Sequence, residues 1–263
     1  MSSTISFLTD YGLTDEFVGV CRSVIRQIAP TALVIDVSHD VVAHDVRAGS
    51  LTLVRAVQYL ADGVVLAIVD PGVGTTRRAI AVEAGPMTFV GPDNGLLAPA
   101  VAMLGGAKRA VHLTNDDYHL SAPGVTFAGR DVFAPVAAQL ANGIDLLGLG
   151  AEIDPAGLVP GMIPLTRNED GVIHAEVLWV DRFGNAQLNV DPDELGLDAT
   201  AVSITFGSNT RTAHRAHTYA AIGTGAIGLV TDSYGMVSIC LDRRSAAAEL
   251  GLGPGSAIAL TVL

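Results

Sequence analysis

Residues 64–77 read Val-Val-Leu-Ala-Ile-Val-Asp-Pro-Gly-Val-Gly-Thr-Thr-Arg. Six apolar residues in a row, without polar alternation, describe a strand covered on both faces, as in a parallel sheet flanked by helices. The run stops at Asp70, so a carboxylate stands at the carboxyl end of a buried strand, where open α/β sheets build their ligand sites. Gly72 and Gly74 let backbone approach a ligand closely. Arg77 follows seven residues after Asp70, near enough to fold back over the same mouth.

The surrounding sequence repeats this alternation. Apolar strands are expected at 5–9, 33–37, 79–82, 88–90 and 109–113. Helical patterns lie at about 15–28, 45–60, 95–103 and 131–140, the first capped by Thr14 and stopped by Pro30. Such βα units imply a largely parallel sheet with helices on both faces. The pattern changes across 154–171, where Pro155, Pro160 and Pro164 and several glycines give linker chemistry. Beyond it come short apolar stretches at 172–180, 186–190, 202–206, 226–230, 237–241 and 258–262. Their spacing predicts a small antiparallel barrel. The expected organisation is therefore an N-terminal α/β domain over 1–165 and a C-terminal β-barrel domain over 171–263.

Composition narrows the function classes. The chain has 263 residues, is 49% hydrophobic and carries a net charge of −12, with Lys108 its single lysine. Acidic and basic residues are mixed throughout, unlike the basic stripe of a nucleic-acid binder. No apolar run approaches the ~18 residues that cross a bilayer. The opening MSSTISFLTDYG has neither a charged start nor a long apolar stretch, so no signal peptide is expected. Cys21 and Cys240 are too few for a disulfide framework or a thiolate metal site. A cytoplasmic protein with no membrane or nucleic-acid partner is the expectation.

Several polar groups sit where chemistry is possible. Asp10 closes the first strand beside a tight turn, and is either an acceptor for two ribose hydroxyls or a turn residue. Asp70 beside Arg77 stays ionised; the pair either orients a water or is a strand-end ion pair. Asp93 and Asn94 occupy a turn before a helix and either reach a ligand or shape the turn. Asp181 can accept from an ammonium and Asn185 can donate or accept, or the two simply close a β-turn. His39 and His44 have no third ligand at metal-site spacing, and no metal is expected. His214 and His217 fall in a polar, solvated segment. There is no GxSxG elbow, Walker A loop or GxGxxG opening a first helix.

Taken together, FLTDYG at 7–12, IDVSHDV at 35–41, DVRAGS at 45–50, VDPGVGTTRR at 69–78, FVGPDNGLL at 89–97, TFAGRDVFAP at 126–135, DRFGN at 181–185 and DSYG at 232–235 resemble one family. It is the S-adenosyl-L-methionine (SAM) hydroxide adenosyltransferases, the adenosine-forming SAM hydrolases, which are related to the fluorinase and chlorinase enzymes. The resemblance implies an α/β domain followed by a β-barrel, and a homotrimer with sites at subunit interfaces. It also implies that water or hydroxide displaces methionine from C5′ of SAM, giving adenosine and L-methionine. SAM is the substrate, and no cofactor or metal is called for.

The same resemblance assigns residues. Asp10 would hold the ribose diol. Asp181 and Ser233, the latter followed by Tyr234, would hold the methionine amino and carboxylate groups. Phe183 and Asn185 would line the adenine and ribose side, and Ala246 would offer backbone to adenine. Around the attacking water the hydrolases keep an Asp, an Arg and a His. Asp70 and Arg77 match the first two, and Ala128 stands at the His position. Halogenases have a tyrosine at the position of Asp70 and a threonine at that of Val73, and this chain has neither. The reading is a SAM hydrolase, either active or impaired by Ala128. The alternatives are a non-catalytic SAM- or adenosine-binding protein, and a SAM-dependent halogenase.

Overall fold

The computed structural model describes residues 4–196 and 200–263, in two compact units that divide between Ile163 and Pro164. In the first unit the strands are β1 (Thr4–Thr9), β2 (Leu33–Ser38), β3 (Gly63–Ile68), β4 (Ala79–Ala84), β5 (Met87–Pro92), β6 (Arg109–His112) and β7 (Ala151–Ile153). They form one mixed sheet in the order β2-β1-β3-β5-β4-β6-β7. The first four in that order are parallel, and β4, β6 and β7 join by antiparallel pairings. The helices are α1 (Phe17–Ile28), α2 (Val46–Val57), α3 (Ala98–Met103) and α4 (Ala134–Ala141). The Asp45 side chain caps α2, accepting from Ala48 N at 2.8 Å. Helix α1 starts behind Glu16 with no side-chain cap, so Thr14 does not fill the expected capping role.

The unbroken apolar run is explained by two cores. Alternate residues of a strand point to opposite faces. Val64, Leu66 and Ile68 pack with Phe7, Ile25 and Val136 in one cluster. Val65, Ala67 and Val69 pack with Leu53, Val57 and Leu96 in the other. Every position of β3 is thus buried or nearly so. Strand β5 approaches β3 so closely that a Cβ on Gly91 would meet the Ala67 carbonyl oxygen at 2.2 Å. Because β1 and β3 are parallel neighbours pairing Thr9 with Ile68, the residues that follow them emerge side by side at one sheet edge.

The second unit contains β8 (Arg167–Glu169), β9 (Val172–Val180), β10 (Ala186–Leu188), β11 (Ala201–Phe206), β12 (Asn209–Arg215), β13 (Ile227–Thr231), β14 (Val237–Cys240), β15 (Ala257–Val262) and the short helix α5 (Ala246–Leu250). Seven of these strands close a barrel, running β10-β14-β13-β12-β11-β15-β9 and back to β10, with β8 outside β9. The pairings are antiparallel except β12 with β13. Alternation is clean in β11, where Val202, Ile204 and Phe206 point into the barrel core. Among the described residues no helix is long and apolar enough to cross a membrane.

Candidate active site

The turn after β1 is fixed by a buried relay. Thr9 Oγ1 lies 2.8 Å from His39 Nδ1, and His39 Nε2 lies 3.0 Å from Asp36 Oδ1. Burial holds the His39 pKa down at about 4, with the Arg22 charge adding to it, so the ring is neutral. An ionised carboxylate only accepts, so Nε2 carries the proton to Asp36 and Nδ1 accepts from the Thr9 hydroxyl. Thr9 Oγ1 is then free to accept from Tyr11 N at 3.1 Å, while His39 O accepts from Gly12 N at 2.8 Å. The result is a rigid loop presenting Asp10 and Tyr11. Asp10 Oδ2 accepts from His44 N at 2.8 Å, and His44 adopts the left-handed φ of 67° that aims its N–H there.

Asp70 leaves the neighbouring strand. Arg77 donates from Nε to its Oδ1 at 2.8 Å and from a terminal nitrogen to its Oδ2. This bidentate pair is largely dry, with side chains 15% and 6% exposed for Arg77 and Asp70. The guanidinium also lies 5.2 Å from the Phe133 ring centroid. Asn94 donates to Val69 O at 2.9 Å. Asp93 is buried, accepting from Arg78 Nε at 2.8 Å and Val159 N at 2.9 Å. Those two residues shape the turn and do not line the cavity described next.

Asp10, Tyr11, Phe17, His44, Asp70 and Phe127 share the wall of a cavity of about 640 Å³. Its far side is the segment that leads into α4, which begins with a π-helical turn over Gly129–Phe133; such turns recur at functional sites. Arg130 pairs with Asp131 at 2.6 and 2.9 Å and covers the Phe127 ring. Phe127 and Gly129 line the cavity, whereas Ala128 between them packs against the core. Arg77 also stands outside the lining: it braces Asp70 from behind. Tyr11 is the residue that sequence reasoning missed, although it directly follows Asp10. Its phenol pKa is raised well above the usual value by burial, with Cys21, Asp10 and Asp70 adding to the effect.

The barrel unit carries its own pocket of about 250 Å³, with Trp179, Asp181, Phe183, Asn185, Ser233 and Tyr234 in its wall. Asp181 Oδ1 accepts from Phe183 N and Asn185 N, both at 2.8 Å, and Oδ2 accepts from Asn185 Nδ2 at 2.8 Å. The carboxylate thereby organises its own loop and keeps part of its acceptor capacity. Asp232 does the same for the next loop, accepting from Gln187 Nε2 at 2.7 Å, Ser238 Oγ at 2.9 Å and Tyr234 N at 2.9 Å. Ala246 opens α5, is fully buried and lies outside the pocket lining. Its neighbour Ala247 donates to Gly184 O at 2.9 Å, which fastens the start of α5 to the loop bearing Phe183. Phe183 itself is 77% exposed.

Comparison with known proteins gives a consistent relationship along the chain. Residues 5–150 match the SAM hydroxide adenosyltransferase N-terminal domain, and residues 175–259 match the corresponding C-terminal domain. An (R)-S-adenosyl-L-methionine hydrolase of Salinispora tropica is 46% identical over 257 residues, covering 98% of this chain and 97% of that protein. A fluorinase of Actinopolyspora mzabensis is more distant, 26% identical over 79% of this chain and 76% of its own length. Among solved structures, an uncharacterized conserved protein from Thermotoga maritima superposes with a TM-score of 0.91 at 33% identity, covering 98% of this chain and 99% of that one.

Proposed function

The chain belongs to the SAM hydroxide adenosyltransferase family, and from that premise we propose that it hydrolyses SAM, the (R)-sulfonium epimer included, to adenosine and L-methionine. The observation that carries this reading is the Asp70 carboxylate, held by Arg77 and facing a cavity that Asp10 shares. The sulfonium is already a good leaving group, so the protein's task is to align an oxygen nucleophile opposite sulfur and strip its water. The water oxygen bonds to C5′ as the C5′–S bond breaks and its electron pair stays on sulfur. The proton leaves through Asp70 to solvent. No covalent intermediate is required. An anion at this place opposes a halide nucleophile.

Asp10 takes the ribose diol in this reading. The barrel pocket supplies the remaining contacts: Asp181 and Ser233, beside Tyr234, for the methionine end, Phe183 and Asn185 for the nucleoside, and backbone near Ala246 for adenine. The α/β cavity of one copy is completed by the barrel pocket of a neighbouring copy in a homotrimer. The exposed Phe183 ring, 77% accessible in the wall of that pocket, is available to a neighbouring copy. SAM is the substrate and no cofactor takes part. Cys21 and Cys240 are free and buried, which suits a cytoplasmic setting. Product analysis of the purified protein with SAM, with and without chloride, tests the reading. Adenosine and methionine are expected in both, and a 5′-halo nucleoside or unreacted SAM would overturn it.

A further inference from the structure

Tyr11 stands on the cavity wall with Asp70. Its backbone is tied to Thr9, and its ring is held at 5.7 Å from Phe17 and 5.9 Å from Phe127. Its hydroxyl has no hydrogen-bond partner among the described residues. That oxygen presses against the 126–135 segment so closely that a Cβ on Gly129 would meet it at 2.2 Å. The preceding residue, Ala128, brings only a methyl group, and that group packs on the core. A half-buried phenol finds its partner in water or ligand when protein offers none. Tyr11 is also within electrostatic reach of Asp70, Asp10 and Arg77, and burial keeps its phenol protonated far above neutral pH.

We propose that Tyr11 is a positioning residue for the nucleophile: its hydroxyl oxygen and the Asp70 carboxylate together hold the water that attacks C5′, in the absence of an imidazole at position 128. The inference rests on the hydrolase reading above. A water has two hydrogens to give. One goes to Asp70 and the other to the Tyr11 oxygen, which leaves a lone pair aimed at C5′. As the O–C5′ bond forms and the C5′–S bond breaks, the water proton passes to Asp70. Tyr11 keeps its own proton throughout, so its contribution is orientation.

The test measures steady-state conversion of SAM to adenosine, and adenosine affinity by calorimetry, for the unaltered protein, Tyr11→Phe and Gly129→Ala. Phenylalanine keeps the ring packing and removes only the oxygen. Tyr11→Phe should lower kcat roughly ten- to hundredfold, within the range of positioned polar groups, with KM and adenosine Kd within about twofold. Gly129→Ala, whose Cβ displaces the phenol, should cost a similar factor in kcat. A merely structural role for Tyr11 would not confine the loss to kcat. Full kcat in Tyr11→Phe overturns the inference and leaves the hydrolase reading standing. A kcat loss matched by weaker adenosine binding also overturns it, making Tyr11 a packing residue. Failure of the unaltered protein to form adenosine removes the hydrolase reading and this inference with it.

Discussion

Arg77 grips both carboxylate oxygens of Asp70, with Nε at 2.8 Å from Oδ1, yet only Asp70 faces the cavity. The arginine therefore acts through the aspartate. Removing it would strand a carboxylate whose side chain is only 6% exposed. Breaking such a pair costs about 3–5 kcal/mol. Arg77→Met should lower stability by about 3 kcal/mol in urea unfolding, and joining it to Asp70→Asn should recover part of that loss. Arg77→Lys keeps the charge without the planar fork, so kcat should fall while KM for SAM stays nearly constant. A loss below about 1 kcal/mol in Arg77→Met would show that the pair is not held dry.

Asp10 is the charged acceptor at the ribose end of the proposed site, and it also receives the His44 N–H. Charged hydrogen bonds are worth about 1.5–3 kcal/mol. Asp10→Ala should weaken adenosine binding by roughly ten- to a hundredfold by calorimetry. Unchanged affinity would remove Asp10 from the site.

The relay from Asp36 through His39 to Thr9 predicts acid sensitivity. The unfolded imidazole binds its proton near 6.5, and the folded one only at about 4. Between those values the unfolded chain holds more protons, so stability falls as pH falls from about 6.5 to about 4 and is unaffected by this group below that. The loss should not exceed about 3–4 kcal/mol, the full shift at 1.36 kcal/mol per pH unit. Urea midpoints of a His39→Gln variant across this range should lack that part of the slope. An identical pH profile in the variant would show that His39 is not held neutral.

The site was partly legible from residue order because parallel strands deliver their last residues to one edge. An apolar run followed by a carboxylate marks that edge, and this order alone points to Asp10 and Asp70, which the structure places on one cavity wall. The place of Arg77 behind Asp70 and the direction of the Tyr11 hydroxyl were not legible. The first depends on the turn that Thr75 closes by donating to Gly72 O, and the second on a turn tied to His39, about thirty residues away in sequence. Strand β12 was missed for a different reason. Its residues, Asn-Thr-Arg-Thr-Ala-His-Arg, bury only Ala213, so no apolar alternation marks it; pairing with β11 and β13 defines it. Position 128 was singled out by resemblance alone, since an alanine carries no chemical signal, and in the structure Ala128 lies outside the cavity lining.

Assembly gives a separate prediction. In the barrel unit Leu165 is 84% exposed and Phe183 77%, large apolar surfaces that a partner would cover. Sedimentation at micromolar concentration should give about three times the chain mass, and Phe183→Asp should shift the protein toward smaller species. A monomer under these conditions would leave the barrel pocket without the partner site proposed for it.

The proposed reaction has water attack C5′ of SAM beside Asp70. It is tested most directly by running the reaction in ¹⁸O-labelled water with added chloride and analysing the nucleoside by mass spectrometry. The expected products are adenosine carrying one ¹⁸O at its 5′-hydroxyl and unlabelled methionine, with both lost in Asp70→Ala. Formation of 5′-chloro-5′-deoxyadenosine as the main product, or adenosine without the label, would contradict it.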